Sequence, residues 1–264
     1  MDEFDGYDRE ALYKAIFDGK VTVESLPKNL YYKTANQLLR GVNTGFGKTL
    51  IELNYNTPDY KLLSELTDNI YFFSGAKTYH QVMEMKAAMV EDGKIIPFND
   101  FRKKADETFV LYNETYLKTE YNTAIGQGQM ASKWQDIESN KQLFPYLKYS
   151  AVIDGRTSEI CKPLDGLVLP VDDKFWSKYL PLNHFGCRCH VIKLDKYTDE
   201  SEISHKDVVK KAIEEIKPQM QSEFLMNAGK DAVIFSNKHP YFTEVPKKDK
   251  ELAKKNFNLV IPKK

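Results

Sequence analysis

Cysteine is scarce in this chain, with only three residues in 264. Three thiols are too few for a disulfide scaffold, and their odd number leaves one unpaired, which fits a reducing compartment. Long apolar runs are also missing, since none approaches the roughly 20 residues of a membrane-spanning helix. The first ten residues, MDEFDGYDRE, lack the apolar segment of a signal peptide. The sequence therefore predicts a cytoplasmic protein with no membrane partner.

The chain also has no formal net charge, because 38 basic residues balance 38 acidic ones. No overall electrostatic field would draw such a chain to nucleic acid or to a membrane, although local basic patches remain open. Apolar residues make up 42% of the sequence, which is enough to build at least one hydrophobic core. The composition excludes a disordered protein and allows one large domain or two ordinary ones.

A glycine-rich stretch at residues 41–49, GVNTGFGKT, ends like a phosphate-binding loop. The spacing argues against that function, because five residues rather than four separate Gly41 from Gly47. The preceding segment also has a helical pattern, whereas a phosphate loop follows a buried strand that aims its backbone amides. We therefore predict a flexible connector here, with no nucleotide cofactor.

The N-terminal half has the apolar periodicity of helices. Short helices are predicted at residues 7–17 and from Pro27 to a terminating glycine at Gly41. Two long helices, from Pro58 to near residue 90 and from residue 100 to about residue 137, would form an antiparallel hairpin. Gly126 and Gly128 inside the second long helix predict close approach of another element, because glycine costs about 1 kcal/mol there relative to alanine.

The pattern changes after Pro145 to short alternating segments and turn signals. Strands are predicted at residues 149–153, 164–170 and 187–194, and a helix at residues 205–217, stopped by Pro218. The predicted fold class is α+β, with a mainly helical region at 1–145, a small irregular β-rich module at 146–196, and a C-terminal helix and extended arm at 197–264.

The β-rich module holds every cysteine of the chain, at Cys161, Cys187 and Cys189, together with His184. A Cys-x-Cys on a strand points both thiols to one face, so these four side chains could close a tetrahedral structural zinc site. Three other interpretations stay open at this point. The thiols could pack as small apolar side chains, two of them could form a disulfide, or one could be a catalytic nucleophile with His184 or His190 as its base.

Several motifs of this module occur together in one known family. They are Asp154-Gly-Arg-Thr, Cys161, Leu164-Asp-Gly, and Pro181-Leu-Asn-His-Phe-Gly-Cys-Arg-Cys189, preceded by the helical segment at residues 119–130. In order and spacing, roughly residues 60–195 resemble the phage Mu F-like minor head proteins, also called the phage head morphogenesis family. Many members have Cys-x-x-Cys where this chain has Ser158-Glu-Ile-Cys161, so Cys161, His184, Cys187 and Cys189 are the complete set left for zinc.

The resemblance implies a non-enzymatic minor head protein of a tailed phage or prophage. Such a protein is made in the bacterial cytoplasm and is built into the virion at the portal vertex or capsid interior. The partners implied are the portal and major capsid proteins, with a role in head assembly and in DNA packaging or delivery. Lysines near the C-terminus, at 247, 248, 250, 254 and 255, could contact packaged DNA. The alternative function is a metal- or thiol-dependent enzyme, such as a nuclease or a phage-delivered toxin.

Overall fold

A computed structural model describes residues 3–263 of the chain. Ten α-helices and five short strands make up its regular structure: α1 Arg9–Phe17, α2 Lys28–Phe46, α3 Pro58–Ala87, β1 Val90–Glu91, β2 Lys94–Ile95, α4 Phe98–Val110, α5 Leu117–Asn140, β3 Tyr146–Ser150, β4 Val168–Pro170, α6 Trp176–Tyr179, β5 His190–Leu194, α7 Lys206–Ile216, α8 Ala228–Asp231, α9 Pro240–Thr243 and α10 Lys250–Lys254. The predicted α+β class is thereby confirmed. No helix in the described part of the chain is both long and apolar enough to cross a membrane.

The predicted pair of long helices is present. α3 extends over 30 residues, and α4 and α5 form a second long helical stretch joined by the π-helical turn Leu111–Tyr116. The connection between the two is the antiparallel pair β1 and β2, in which Asp92 and Gly93 both have positive φ angles. Such a two-residue turn matches the twist of the strands it joins.

The chain divides into two compact units, and three of the four boundaries fall within α2, α3 and α5, while the fourth lies between α8 and α9. The first unit comprises the chain up to Arg40, Thr67–Tyr121 and the chain from Asn237 on, and the second comprises Gly41–Leu66 and Asn122–Ser236. The region boundaries predicted after residues 145 and 196 both lie inside the second unit.

In the first unit, the C-terminal segment packs among the helices and is not an extended arm. Phe257 is buried, and its ring stacks on that of Tyr79 of α3 at 4.6 Å. The Tyr79 hydroxyl donates a hydrogen bond of 2.7 Å to Asp249. Buried apolar contacts such as these stabilise the packed conformation, which the irregular sequence pattern after residue 218 did not indicate.

The second unit is built on a three-stranded antiparallel sheet in the order β4-β3-β5. The register pairs Leu147 of the central strand with Leu169 on one side and Lys193 on the other. One continuous core joins the sheet to α5 and α7, with Trp134 and Trp176 almost fully buried in it. Cys161 and Cys187 belong to that core, so the sheet and its loops position the cysteine cluster.

The prediction of a flexible connector at residues 41–49 is wrong for its first part. α2 continues through Gly41 to Phe46, and Gly47, with a φ of +82°, ends it as the C′ residue. The reason is tight packing against α5: a Cβ atom at Gly128 would lie 2.7 Å from the Val42 carbonyl oxygen. This contact also confirms the close approach that the glycines of α5 predicted.

Gly45 makes the tightest contact between these two helices, and its replacement by alanine is expected to destabilise the protein. A Cβ atom there would lie 1.9 Å from the backbone oxygen of Ile125. Alanine favours a helix over glycine by about 1 kcal/mol, but forcing two helix backbones apart costs typically 1–3 kcal/mol or more, so the clash decides the sign. Denaturant unfolding measures the change, with Gly155→Ala as the control because that position has open space. A more stable Gly45→Ala protein would contradict the packing.

Candidate metal centre

The cluster is formed where two loops of the second unit meet beside the sheet. Cys161 lies in the connection between β3 and β4, while His184 and Cys187 lie in the loop that leads into β5. The Cys161 sulfur is 3.2 Å from His184 Nε2 and 3.6 Å from the Cys187 sulfur. The ligand atoms of these three residues all lie within 4.8 Å of one another.

A tight turn places His184 and Cys187 on the same side of their loop. The Cys187 N–H donates to the His184 carbonyl oxygen at 3.2 Å, and Gly186, the third residue of the turn, has a φ of +72°. A positive φ at this position favours glycine, as in type II turns. The predicted strand at residues 187–194 is therefore wrong in its first part, because β5 begins only at His190. The turn, and not strand alternation, aims the thiol of Cys187.

An ion pair joins the two loops on the exposed side of the cluster. Arg188 donates two hydrogen bonds to the carboxylate of Asp154, with lengths of 2.7 and 2.8 Å. This bidentate contact lowers the pKa of Asp154, since the guanidinium stabilises the charged carboxylate. Both side chains are partly exposed, so we attribute to the pair a role in loop register and little net stability.

The side chains of the cluster have pKa values that are shifted in different directions. Hydrogen bonds from Cys187 and Cys189 lower the pKa of Cys161, and the contact with Cys161 raises the pKa of His184. Conversely, donation to Cys161 raises the pKa of Cys187 to about 11. The Tyr149 hydroxyl lies 3.8 Å from the same sulfur and adds a further donor. The surroundings thus favour a thiolate at Cys161, which is the form that binds metal ions.

Cys161, His184 and Cys187 could together hold a metal ion. With zinc–sulfur bonds of about 2.3 Å and zinc–nitrogen bonds of about 2.0 Å, neighbouring ligand atoms are separated by roughly 3.5–3.8 Å. The observed separations of 3.6 and 3.2 Å require only a small adjustment. His184 Nδ1–H donates to the Phe185 carbonyl oxygen at 2.8 Å, which leaves Nε2 as the ring nitrogen that faces the cluster. Metal-binding histidines are usually held in this way.

The Cys189 side chain is partly exposed, whereas those of Cys161 and Cys187 are buried. The Cys189 thiol is not among the three ligand atoms that lie within 4.8 Å of one another, so the structure brings together three of the four predicted ligands. Hydrogen bonding to Cys161 and Cys187 raises the pKa of Cys189. Cys189 and Cys187 also line a cavity of about 290 Å³ together with Lys133 and Arg188. The two cationic side chains favour negatively charged thiolates at this cavity.

The geometry does not favour a catalytic cysteine. Cys161 is only 2% exposed, so a substrate would not reach its sulfur. Within the described residues, His184 Nδ1 bonds to a backbone carbonyl and not to an orienting carboxylate. Asp154 pairs with Arg188, Asp165 accepts from the Ala151 N–H, and Asp172 pairs with Lys141. A disulfide is not formed either, because all three cysteines are free thiols.

Comparison with known proteins gives a family for the region that holds the cluster. Residues 76–192 match the family described as "Phage Mu protein F like protein". The chain is 36% identical over 75 residues to "Putative capsid assembly protein F" of Escherichia phage Mu, covering 28% of this chain and 17% of that protein. It is 33% identical over 87 residues to "Mu-like prophage FluMu F protein" of Haemophilus influenzae, covering 33% and 20% respectively.

The matched part thus spans about a fifth of the length of these curated relatives. No solved structure matches the chain significantly. The family match includes the whole segment from Cys161 to Cys189, as well as the helices α4 and α5 before it. The resemblance predicted from the sequence is confirmed, because residues 76–192, which include the cluster, match the phage Mu F-like family.

Proposed function

We propose that this protein is a minor head protein of a tailed bacteriophage or prophage that takes part in capsid assembly. The observation that carries the proposal is the family match over residues 76–192, together with a curated relative whose name is that of a capsid assembly protein. In this role it associates with the portal and the capsid interior and assists head assembly and DNA packaging or delivery. It works in the host cytoplasm during assembly and in the virion afterwards.

The protein acts through contacts and not through catalysis. The buried position of Cys161 and the backbone partner of His184 support this part of the proposal. Its protein partners are the portal and major capsid proteins. The five C-terminal lysines 247, 248, 250, 254 and 255 are all exposed, so they are available to contact the phosphates of packaged DNA.

We further propose that Cys161, His184, Cys187 and Cys189 hold a structural zinc ion. Three thiolates and one imidazole close the tetrahedral coordination, so the ion would link the two loops and leave no position for a substrate. The module at residues 146–196 would then be fixed by its short sheet on one side and by this link on the other. The Cys161 sulfur lies 3.2 Å from His184 Nε2 and 3.6 Å from the Cys187 sulfur, which supports three of the four ligands, and Cys189 is the fourth ligand that the proposal adds.

Co-expression tests the assembly role. With the portal and major capsid proteins of its own phage, the tagged full chain is expected to co-purify with portal-containing particles and to be retained after size separation. A variant with all five C-terminal lysines changed to glutamine should still associate with the particles but lose salt-sensitive DNA binding, because only phosphate neutralisation is removed. Failure of the wild-type chain to associate with either partner would contradict the assembly role, and unchanged DNA binding would contradict the lysine contact.

A further inference from the structure

A strap, formed by residues 237–263 of the first unit, lies against α3. Side chains of α3 hold it at separate points along its length. The ring of Tyr79 stacks on that of Phe257, and His80 Nε2 lies 3.0 Å from the carbonyl oxygen of Tyr241. The closed position of the strap therefore depends on a small number of side-chain contacts with one helix.

The strap has little regular structure of its own. Its helices α9 and α10 contain only four and five residues. Isolated helices shorter than about 12–15 residues are marginal in water, so neither helix would persist away from α3. The helix beneath is 30 residues long. No part of the strap is stable alone, and its parts consequently detach together.

Three consecutive residues of the strap adopt the left-handed backbone conformation. Asn256, Phe257 and Asn258 have φ angles of 51°, 52° and 60°. Asparagine tolerates this conformation as a single residue, but a bulky residue such as phenylalanine adopts it only at a cost in free energy. Strain of this kind persists where surrounding contacts enforce it. Contacts with α3 thus hold the turn in a conformation that a detached strap would leave.

The Asn256 side chain adds a second cost to the closed position. It is buried, and its Nδ2 donates to the Tyr31 hydroxyl at 3.2 Å. Its Oδ1 is also buried and accepts no hydrogen bond from the described residues. The same oxygen lies so close to Gly75 of α3 that a Cβ atom there would be 2.0 Å away. A buried acceptor without a donor costs stability, and water would satisfy it once the strap is open.

We propose that the strap opens from α3 as one unit while the helices beneath it stay folded, and that the turn at residues 256–258 sets how often it opens. Opening relieves the strained turn, which offsets part of the contacts that are lost. It also uncovers Lys77 and Glu120, because the Tyr241 ring lies 5.8 Å from the Lys77 nitrogen and the Tyr241 hydroxyl is hydrogen-bonded to Glu120. The strap is a cover built into the first unit, independent of the metal site and of the assembly role.

Hydrogen exchange of the full-length protein tests this inference. Asn258 is exposed, so Asn258→Ala makes the left-handed conformation more costly and leaves the buried contacts in place. The N–H groups of Thr243 and Lys255 donate to carbonyl oxygens within the strap and report its opening. Both should exchange about fivefold faster in the variant, and the amides of α3 should not change.

Two further variants separate strain from other effects of the substitution. Asn258→Gly also removes the side chain, but glycine adopts a positive φ freely, so exchange of the strap amides should not accelerate. Asn56→Ala makes the same replacement at an exposed asparagine of the second unit that has a φ of 69°. It should leave the strap amides unchanged, because the strain it adds lies elsewhere.

The inference is overturned if the strap amides of the wild type exchange as slowly as those of α3, since the strap would then open only with the whole unit. Equal acceleration by Asn258→Gly and Asn258→Ala would also overturn it, as would a response confined to the amides next to position 258. Acylation of Lys77, followed by mass spectrometry, should accelerate with the strap amides in Asn258→Ala. An unchanged acylation rate would show that the strap is not the cover of this lysine.

Discussion

Replacing His184 with alanine, or Cys187 with serine, is expected to abolish zinc binding and to lower the free energy of unfolding by at least about 3 kcal/mol. Structural zinc contributes an apparent 10–16 kcal/mol in small zinc-binding peptides, so even a fraction of that value is a large effect. A link between the two loops would add to a small sheet, which has only three strands, one of them three residues long. Metal analysis and denaturant unfolding of the purified variants measure the two losses.

A neighbouring histidine provides the matched control. His190 begins β5 and is exposed, so His190→Ala removes an imidazole close to the cluster without removing a ligand atom. That variant should keep its zinc and unfold like the wild type. Treatment of the wild type with a chelator should reproduce the destabilisation of His184→Ala. If the chelator leaves the unfolding transition of a zinc-loaded wild type unchanged, the metal has no structural role.

Three of the four side chains predicted as ligands, those of Cys161, His184 and Cys187, lie together in the structure, but their arrangement could not be predicted from the sequence. The scarcity of cysteine and the position of His184 three residues before Cys187 identified four side chains that chemistry would bring together. The strand expected at residues 187–194 was wrong because apolar alternation cannot detect a turn that depends on the left-handed conformation of Gly186. The contact of the Ser158 hydroxyl with His184 Nε2, at 2.8 Å, was also missed, since it depends on the folded turn in which the Cys161 N–H donates to the same hydroxyl oxygen.

The helices show the same division between local and tertiary information. Apolar periodicity predicted α3 and the long stretch of α4 and α5, because one face of each is buried. It failed at residues 41–46, where two glycines look like a chain break. Contacts of Gly45 and Gly128 with the facing helix keep this segment helical, and those contacts depend on residues about 80 positions apart. The low helix propensity of glycine gave the wrong prediction, because the close packing of the two helix backbones outweighs it.

The burial of Lys77 could not be predicted from the sequence. A lysine within a helix is normally expected on the solvated face. Here its ammonium group lies 2.6 Å from the carboxylate of Glu120, and the two side chains are only 1% and 5% exposed. The partners are 43 positions apart, so no local pattern could have paired them. Both belong to the first unit, where α3 and α5 contribute one partner each.

Aromatic rings complete the surroundings of this ion pair. The Lys77 nitrogen lies 5.5, 5.9 and 5.8 Å from the ring centroids of Tyr112, Tyr116 and Tyr241. Rings at such distances stabilise a cation through their electron-rich faces. Burial lowers the pKa of Lys77 and raises that of Glu120, while their mutual attraction opposes both shifts. Tyr241 is supplied by α9, so the C-terminal segment helps to enclose the pair.

Replacing Lys77 with alanine is therefore expected to cost about 3–5 kcal/mol of unfolding free energy, because Glu120 would be left buried and uncompensated. The double replacement Lys77→Met with Glu120→Leu removes both charges while keeping much of the volume, and it should recover most of that loss. Lys103→Ala is the control, since its pair with Asp100 is exposed and is expected to contribute less than about 1 kcal/mol. Denaturant unfolding of these proteins and of the single variants Lys77→Met and Glu120→Leu gives a double-mutant cycle. If the double variant is destabilised by the sum of the two single losses, the charges are not coupled and the pair does not organise this part of the first unit.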